Sequence, residues 1–341
     1  MRIILSSNVD VYYASFYIKG LIDLFGKKTI VFDAKPFSKI KNGDSNLNII
    51  VQNNGLERKI SIQYNDTFEI HDECYEWCDV YGSVNANWNE TPDAFKPKLV
   101  SLAPSFGIRL WNLSDTIYYA ISNYLKQETK TSFKKFIGKY KRQYILRLPL
   151  NEYSQKKTID NYIFHVSTLW QSDEYVMNDE FVNRIRAIFI ETCKSINEIQ
   201  FEGGFYYNGK HTLNQRFSHL IFNNFMPVKE YMQKLQQSVL VFNTPAWLNC
   251  NGWKLAEYMA LGKAIISTPI LNNLPESLVH GENIHFVSDK PEEMKEAILL
   301  ICRDKIYRDK IAKGAYNYYL RNATPVRSLA LLGISNNMRF K

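Results

Sequence analysis

Asn249-Cys250-Asn251-Gly252-Trp253-Lys254-Leu255-Ala256-Glu257-Tyr258-Met259-Ala260-Leu261-Gly262-Lys263 is the stretch on which the reading of this chain turns. Asn249 to Gly252 is a small polar turn entering a helix, so backbone N–H groups without intrahelical acceptors point outward there. With the helix dipole they suit a phosphate. Leu255, Tyr258 and Met259 share one helical face, and Glu257 lies opposite with Trp253 and Ala260. Apart from Lys254 and Glu257 the helix is apolar nearly all round, which predicts burial. A buried carboxylate is costly unless hydrogen-bonded, and a ligand hydroxyl one or two turns from the phosphate would serve. Pairing of Glu257 with Lys254 at i, i+3, or simple exposure, is the other reading. Gly262 stands where a helix ends in a left-handed residue.

The flanking sequence repeats strand and helix. Upstream, Tyr162–Val166 reads as a strand, and Phe181, Ile185, Ile188, Phe189 and Ile196 mark one buried helical face. A strand at 219–222, a helix at 228–236 and a strand at 239–242 follow. Downstream come a strand at 264–268, a short helix opened by Pro275, a strand at 284–287, and a helix to Cys302. Asp289 and Glu292 set a capping box around Pro291 for that last helix. The N-terminal half opens the same way: strand Arg2–Leu5, polar turn Ser6-Ser7-Asn8, then a helix capped by Asp10 and stopped at Gly26. A strand at 29–32 comes next, with further strands at 60–63, 80–84 and 99–102. Strand–helix alternation on this scale predicts parallel sheets covered by helices. At 341 residues two domains are expected, 1–158 and 159–316, with 317–341 crossing back to the first.

The pieces Glu257-Tyr-Met-Ala-Leu-Gly-Lys263, Ala264-Ile-Ile-Ser-Thr268, Leu274-Pro-Glu276 and His280-Gly-Glu-Asn283 with Phe286-Val287 together resemble the donor-domain signature of group 1 glycosyltransferases. The resemblance implies an α/β fold of GT-B type, two facing Rossmann-like α/β/α domains with an inter-domain cleft. It implies transfer of a sugar from a nucleotide-diphosphate-sugar, without a metal, to a saccharide or lipid-linked saccharide in surface polysaccharide synthesis. It places Glu257 on the donor ribose and the Gly252 and Trp253 amides on the diphosphate. Phe225 and Met226 fall at the base, and Ser167 and Thr168 lie under the phosphates. The nucleotide-sugar is then a substrate, and no cofactor is expected.

Two positions depart from the signature. The family's first glutamate is Asn249 here, so the candidate catalytic pair is Asn249 and Glu257. The family's arginine after the first donor strand is replaced by Thr168, which leaves Lys254 or Arg216 to supply the positive charge. On the acceptor side Ser6, Asn8 and Ser105 occupy turns after strands. Asp10, His71 and Asp72 are conceivable general bases.

Composition narrows the classes. Hydrophobic residues make up 45% and charged residues 22%, a globular balance. The apolar runs are strand-sized, below the roughly 20 residues that span a bilayer, and the first residues are too short for a signal-peptide core. Five cysteines do not make a disulfide framework, so a cytoplasmic setting is expected. His71-Asp-Glu-Cys74 with Cys78 lacks a second ligand pair for a metal and reads as a helix start. No Asp-x-Asp and no Gly-x-Gly-x-x-Gly after the first strand are present. The net charge is +8, and Lys126–Arg142 alone carries a net +6. Phe133, Phe136, Ile137 and Tyr140 repeat there at helical spacing. That helix either lies on an anionic membrane or packs on its own domain with solvated lysines. No recognition motif for nucleic acid accompanies the charge. Rival readings are an epimerase of the same fold, a silent sugar-nucleotide-binding subunit, and a membrane-docked scaffold.

Overall fold

The computed structural model describes residues 1–40, 46–67, 69–127, 131–170, 176–207, 209 and 215–336. Two compact units divide the chain. One is Met1–Glu152 with Asn273–Glu276 and Leu320–Lys341, and the other is Tyr153–Asn272 with Ser277–Tyr319.

In the first unit β1 (Arg2–Leu5) runs into α1 (Val11–Phe25). The Asp10 carboxylate caps α1 by accepting from Tyr12 N at 3.0 Å, and Gly26 (φ 82°) ends it. Then β2 (Ile30–Phe32) pairs parallel with β1. The next two strands, β3 (Asn46–Asn53) and β4 (Leu56–Gln63), form a hairpin. Its turn residues Asn54 and Gly55 have φ of 49° and 81°, the left-handed pair that a two-residue hairpin turn demands. After α2 (Asp72–Trp77) come β5 (Val80–Ser83) and β6 (Leu99–Ser101). The sheet order is β2-β1-β3-β4-β5-β6, and β3 runs antiparallel to both its neighbours. The sheet is therefore mixed, a correction to the all-parallel expectation. Helices α3 (Leu113–Lys126) and α4 (Phe133–Leu146) pack together, and α4 also meets α1. Of the apolar seam of α4, Phe136 and Tyr140 are buried in its own unit, Ile137 is half-buried and Phe133 is exposed. Residues 128–130 of the basic stretch lie outside the described residues. Cys74 and Cys78 are both buried core residues.

The second unit begins with β7 (Tyr162–Thr168), α5 (Val176–Ser195) and β8 (Gln200–Tyr206). It continues with α6 (Val228–Gln237), β9 (Leu240–Asn243), α7 (Trp253–Ala260) and β10 (Ala264–Ser267). It closes with β11 (His285–Phe286), α8 (Pro291–Arg303) and α9 (Lys305–Tyr318). All pairings are parallel: β7 with β8, and β9-β10-β11 in a second group. The two groups meet edge to edge, with Val239 N donating to Tyr162 O at 2.8 Å and Phe164 N to Ser238 Oγ at 2.9 Å. The strands thus stand in the order β8-β7-β9-β10-β11, and chain direction across the sheet reverses between β7 and β9. Ile163, Phe189, Phe242, Ile266 and Ile298 fill the core.

Three expectations are corrected here. The strand placed at 219–222 is a tight helical turn, Gln215–Leu220, with a single bridge from Ile221 to Phe205; the partner of β7 is β8. Residues 275–281 are irregular rather than helical, with a single bridge from His280 to Ile284. Helix α8 starts at Pro291 after Lys290. It has no side-chain cap: the Glu293 carboxylate reaches back to accept from Ser288 N at 3.0 Å, and Asp289 pairs with Arg184 at 2.8 Å.

The chain then returns to the first unit, where α10 (Pro325–Leu331) packs on α1. The approach is close: a Cβ on Gly20 would lie 2.6 Å from the Pro325 carbonyl oxygen.

Candidate functional site

In open parallel sheets, ligands settle beyond the carboxyl ends of the strands, where the strand order reverses. In the second unit that point lies between β7 and β9. A cavity of about 150 Å³ opens there, lined by Ser167 and Thr168 from the end of β7 and by Asn243 and Thr244 from the end of β9. Gly252, Trp253 and Lys254, the first residues of α7, line its far wall. Gly252 provides no side-chain cap, so the helix start presents its backbone and the positive end of its dipole to the cavity.

Charge in the cavity comes from two side chains. Lys254 donates its ammonium to the Val166 carbonyl. Arg186, from α5, is buried and donates Nη1 to the Thr168 carbonyl at 3.1 Å. His165 is buried beside them and stacks edge-on against Phe189. Its Nε2 lies 3.2 Å from Ser167 Oγ, and its Nδ1 has no hydrogen-bond partner among the described residues. Burial pushes the Lys254 ammonium down to about 7, and repulsion from Arg186 adds to the shift against the pull of Glu257. Burial also holds the His165 ring well below its ordinary value, with Lys254 and Arg186 adding to it. Clustered positive groups that suppress one another's protonation are a site short of an anion.

The Lys254 shift has a testable consequence. Anion binding requires the ammonium, which is half titrated near pH 7 in the empty site. Affinity for inorganic pyrophosphate is expected to fall by up to about tenfold per unit as pH rises above 7, while Lys254→Gln gives a flatter profile. Calorimetric titration between pH 6 and 9 measures it. For folding the sign runs the other way. Between pH 7 and the ordinary lysine range the unfolded chain binds the proton that the folded chain has lost, so the Lys254 contribution to stability rises with pH there.

Of the residues singled out from sequence, Ser167, Thr168, Gly252, Trp253 and Lys254 come together on this cavity. Glu257 stands one turn further along α7, half-buried, and acts electrostatically on Lys254, Tyr231 and Tyr258. Asn249 is exposed in the loop before α7, where it and Leu248 adopt left-handed backbone (φ 62° and 53°). That loop is held by Ala246 N donating to Cys250 O at 2.8 Å and by the Asn272 amide on Asn249 O at 3.1 Å. A leucine in left-handed backbone is strained, and such strain persists where surrounding bonds over-determine it. Arg216 is exposed and ion-paired with Glu180 at 2.6 Å, away from the cavity wall. Phe225 is 88% exposed and Met226 half-buried, and neither lines the cavity. In the first unit, Ser6 Oγ accepts from Asn8 N at 3.2 Å, and Ser105 is buried. Sequence reasoning missed Arg186. It follows Ile185 in α5, where an arginine reads as the solvent side of an amphipathic helix, and only the fold turns it toward β7.

Residues 211–318 match the family model described as glycosyl transferases, group 1. This stretch is similar to group 1 glycosyl transferases. It contains β9, α7 and β10, and so one wall of the cavity. No curated protein matches the chain. Solved structures with a similar course include the C-terminal domain of a group 1 glycosyl transferase family protein, LpcC, from Francisella tularensis. That pair is 15% identical over 48% of this chain and 86% of that one, with a TM-score of 0.34. Anabaena HepE, in complex with UDP and glucose, is 14% identical over 76% of this chain, with a TM-score of 0.42. TarM, known from S. aureus, is 9% identical over 95%, with a TM-score of 0.44. The matches span only 64% of HepE and 58% of TarM.

Proposed function

We propose that the protein transfers a sugar from a nucleotide-diphosphate-sugar to a hydroxyl of a saccharide or lipid-linked saccharide, in the synthesis of a surface polysaccharide. The observation that carries this is the meeting of Arg186, Lys254 and the uncapped start of α7 on one cavity, inside and beside the stretch similar to group 1 glycosyl transferases. In this reading the diphosphate sits between those groups, and Glu257 holds the ribose hydroxyls further along the helix. Charge that develops on the departing diphosphate is met by two fixed cations and a helix dipole, without a metal. Asn249, at the mouth of the α7 loop, offers an amide to the sugar hydroxyls.

A ligand that binds only the folded state raises the melting temperature by mass action. At a hundredfold excess over Kd the gain is about 2.7 kcal/mol, or roughly 5 to 10 °C for a unit of this size. One nucleotide among UDP, GDP, ADP and CMP, or its sugar conjugate, is expected to give that shift with wild type and not with Glu257→Ala. Equal shifts in both proteins would remove Glu257 from the donor site, and no shift from any nucleotide would remove the donor site itself.

A further inference from the structure

Helix α3 is built inside out. Its buried residues are Thr116, Ala120 and Asn123, the last donating its amide to Tyr140 OH at 2.8 Å. Its outer face carries Leu113, Ile117, Tyr118, Ile121 and Leu125, each between 48% and 77% exposed. At 100° per residue these five fall within an arc of about 140°, which holds no charged side chain. A soluble helix normally turns such a stripe inward, and a contiguous exposed apolar patch marks a contact surface. Phe133 of α4, also exposed, extends the patch, its ring 5.0 Å from that of Tyr124.

The surroundings of the stripe select its occupant. Lys126 ends α3, and α4 adds exposed Lys134, Lys135, Lys141 and Arg142 with no acidic residue in its length. The acid of α3, Asp115, is neutralised by Lys27 at 2.6 Å. An apolar stripe bordered by cations matches the interface of a bilayer rich in acidic headgroups, where the stripe enters the acyl boundary and the lysines meet phosphate. A second copy of the chain would bring like charges together around a symmetric contact, which disfavours it.

We propose that α3 is a membrane-docking helix that seats the first unit on an anionic lipid surface through Leu113, Ile117, Tyr118, Ile121 and Leu125, with the basic residues of α4 as its electrostatic border. This goes beyond the sugar-transfer reading and does not depend on it. It also moves the main lipid-facing surface from the α4 seam, where Phe136 and Tyr140 are buried, to the neighbouring helix.

Co-sedimentation of the full chain with vesicles of phosphatidylcholine, alone or with about one-third phosphatidylglycerol, tests it. Wild type is expected to bind the anionic vesicles at least about tenfold more tightly, and less so at high salt. The variant Ile117→Gln/Ile121→Gln/Leu125→Gln is expected to lose binding by at least about tenfold and to keep its nucleotide-induced melting shift, because all three side chains are already in water. Lys134→Gln/Lys135→Gln, which leaves the stripe intact, is expected to weaken binding about 25-fold, near fivefold per lysine. It keeps the test open if the triple variant fails to fold. Absence of binding by wild type, or binding by both variants as tight as that of wild type, would overturn the proposal. So would a wild-type dimer in sedimentation equilibrium that the triple variant abolishes without any vesicle binding, since the stripe would then be a self-contact.

Discussion

Arg186→Gln is expected to lower sugar transfer by about a hundredfold to a thousandfold while leaving the protein folded. The glutamine keeps the polar stem but is two atoms too short to reach the Thr168 carbonyl that Arg186 Nη1 now holds at 3.1 Å, so the end of β7 also loses a bond worth on the order of 1.5 to 3 kcal/mol. What also disappears is the fixed charge lining the cavity, which in the proposed reading meets the diphosphate. Losing one preorganised group at a developing anion costs on the order of 3 to 4 kcal/mol of transition-state stabilisation. Such a loss appears mainly in kcat when the charge develops late. A second readout separates this from simple damage. Repulsion from Arg186 helps hold the Lys254 ammonium down near 7, so its removal moves the pH midpoint of pyrophosphate binding upward. Unchanged transfer with an unchanged midpoint would take Arg186 out of the donor site.

The second large effect concerns stability. Gly203 in β8 sits at φ 136°, and a Cβ there would lie 1.9 Å from the carbonyl oxygen of His165 in β7. Both atoms belong to paired backbone, so neither strand has a side chain to swing aside. Gly203→Ala is therefore expected to cost roughly 4 kcal/mol or more, a large fraction of the about 5 to 15 kcal/mol that holds an ordinary domain together. Urea denaturation followed by tryptophan fluorescence would report an early transition or insoluble protein. Gly138 in α4 is the control, since nothing lies within 4 Å of its Cβ position. Gly138→Ala is expected to stabilise by about 0.5 to 1 kcal/mol. Similar midpoints for the two variants would show that β7 and β8 tolerate separation.

The same glycines explain why part of the fold was hidden in the sequence. Gln200–Tyr206 contains Gly203-Gly204, which lowers the strand signal, and the apolar run near 219–222 took its place in the reading. The strand β3 went unread although Asn54-Gly55 marks its hairpin plainly, because its run Leu47–Gln52 has apolar and polar residues out of strict alternation. By contrast Asp10, Gly26 and Gly262 each do one local job that spacing alone reveals, and α1 and α7 end where those residues predict. For the site, the turn at 249–252 entering α7 was legible from residue types, Ser167 and Thr168 came only from the resemblance, and the structure brings Ser167, Thr168 and Gly252 to one cavity. Arg186 was not legible, because its role depends on where α5 packs. Phe225 and Met226, assigned to the base by the resemblance, and Arg216, offered as a substitute for the absent arginine, are not among the residues lining the cavity.

The packing of α10 on α1 has a consequence in time. A ribosome adding roughly 5 to 20 residues per second releases α1 early, but Pro325–Leu331 emerges only after the whole second unit. For roughly 10 to 30 s the nascent first unit carries an open seat beside Gly20, where Pro325 and Leu329 will later pack. The second unit meets no such delay, since nearly all of it is contiguous in sequence. The second unit is thus expected to mature first on the ribosome, and the unit begun first to mature last.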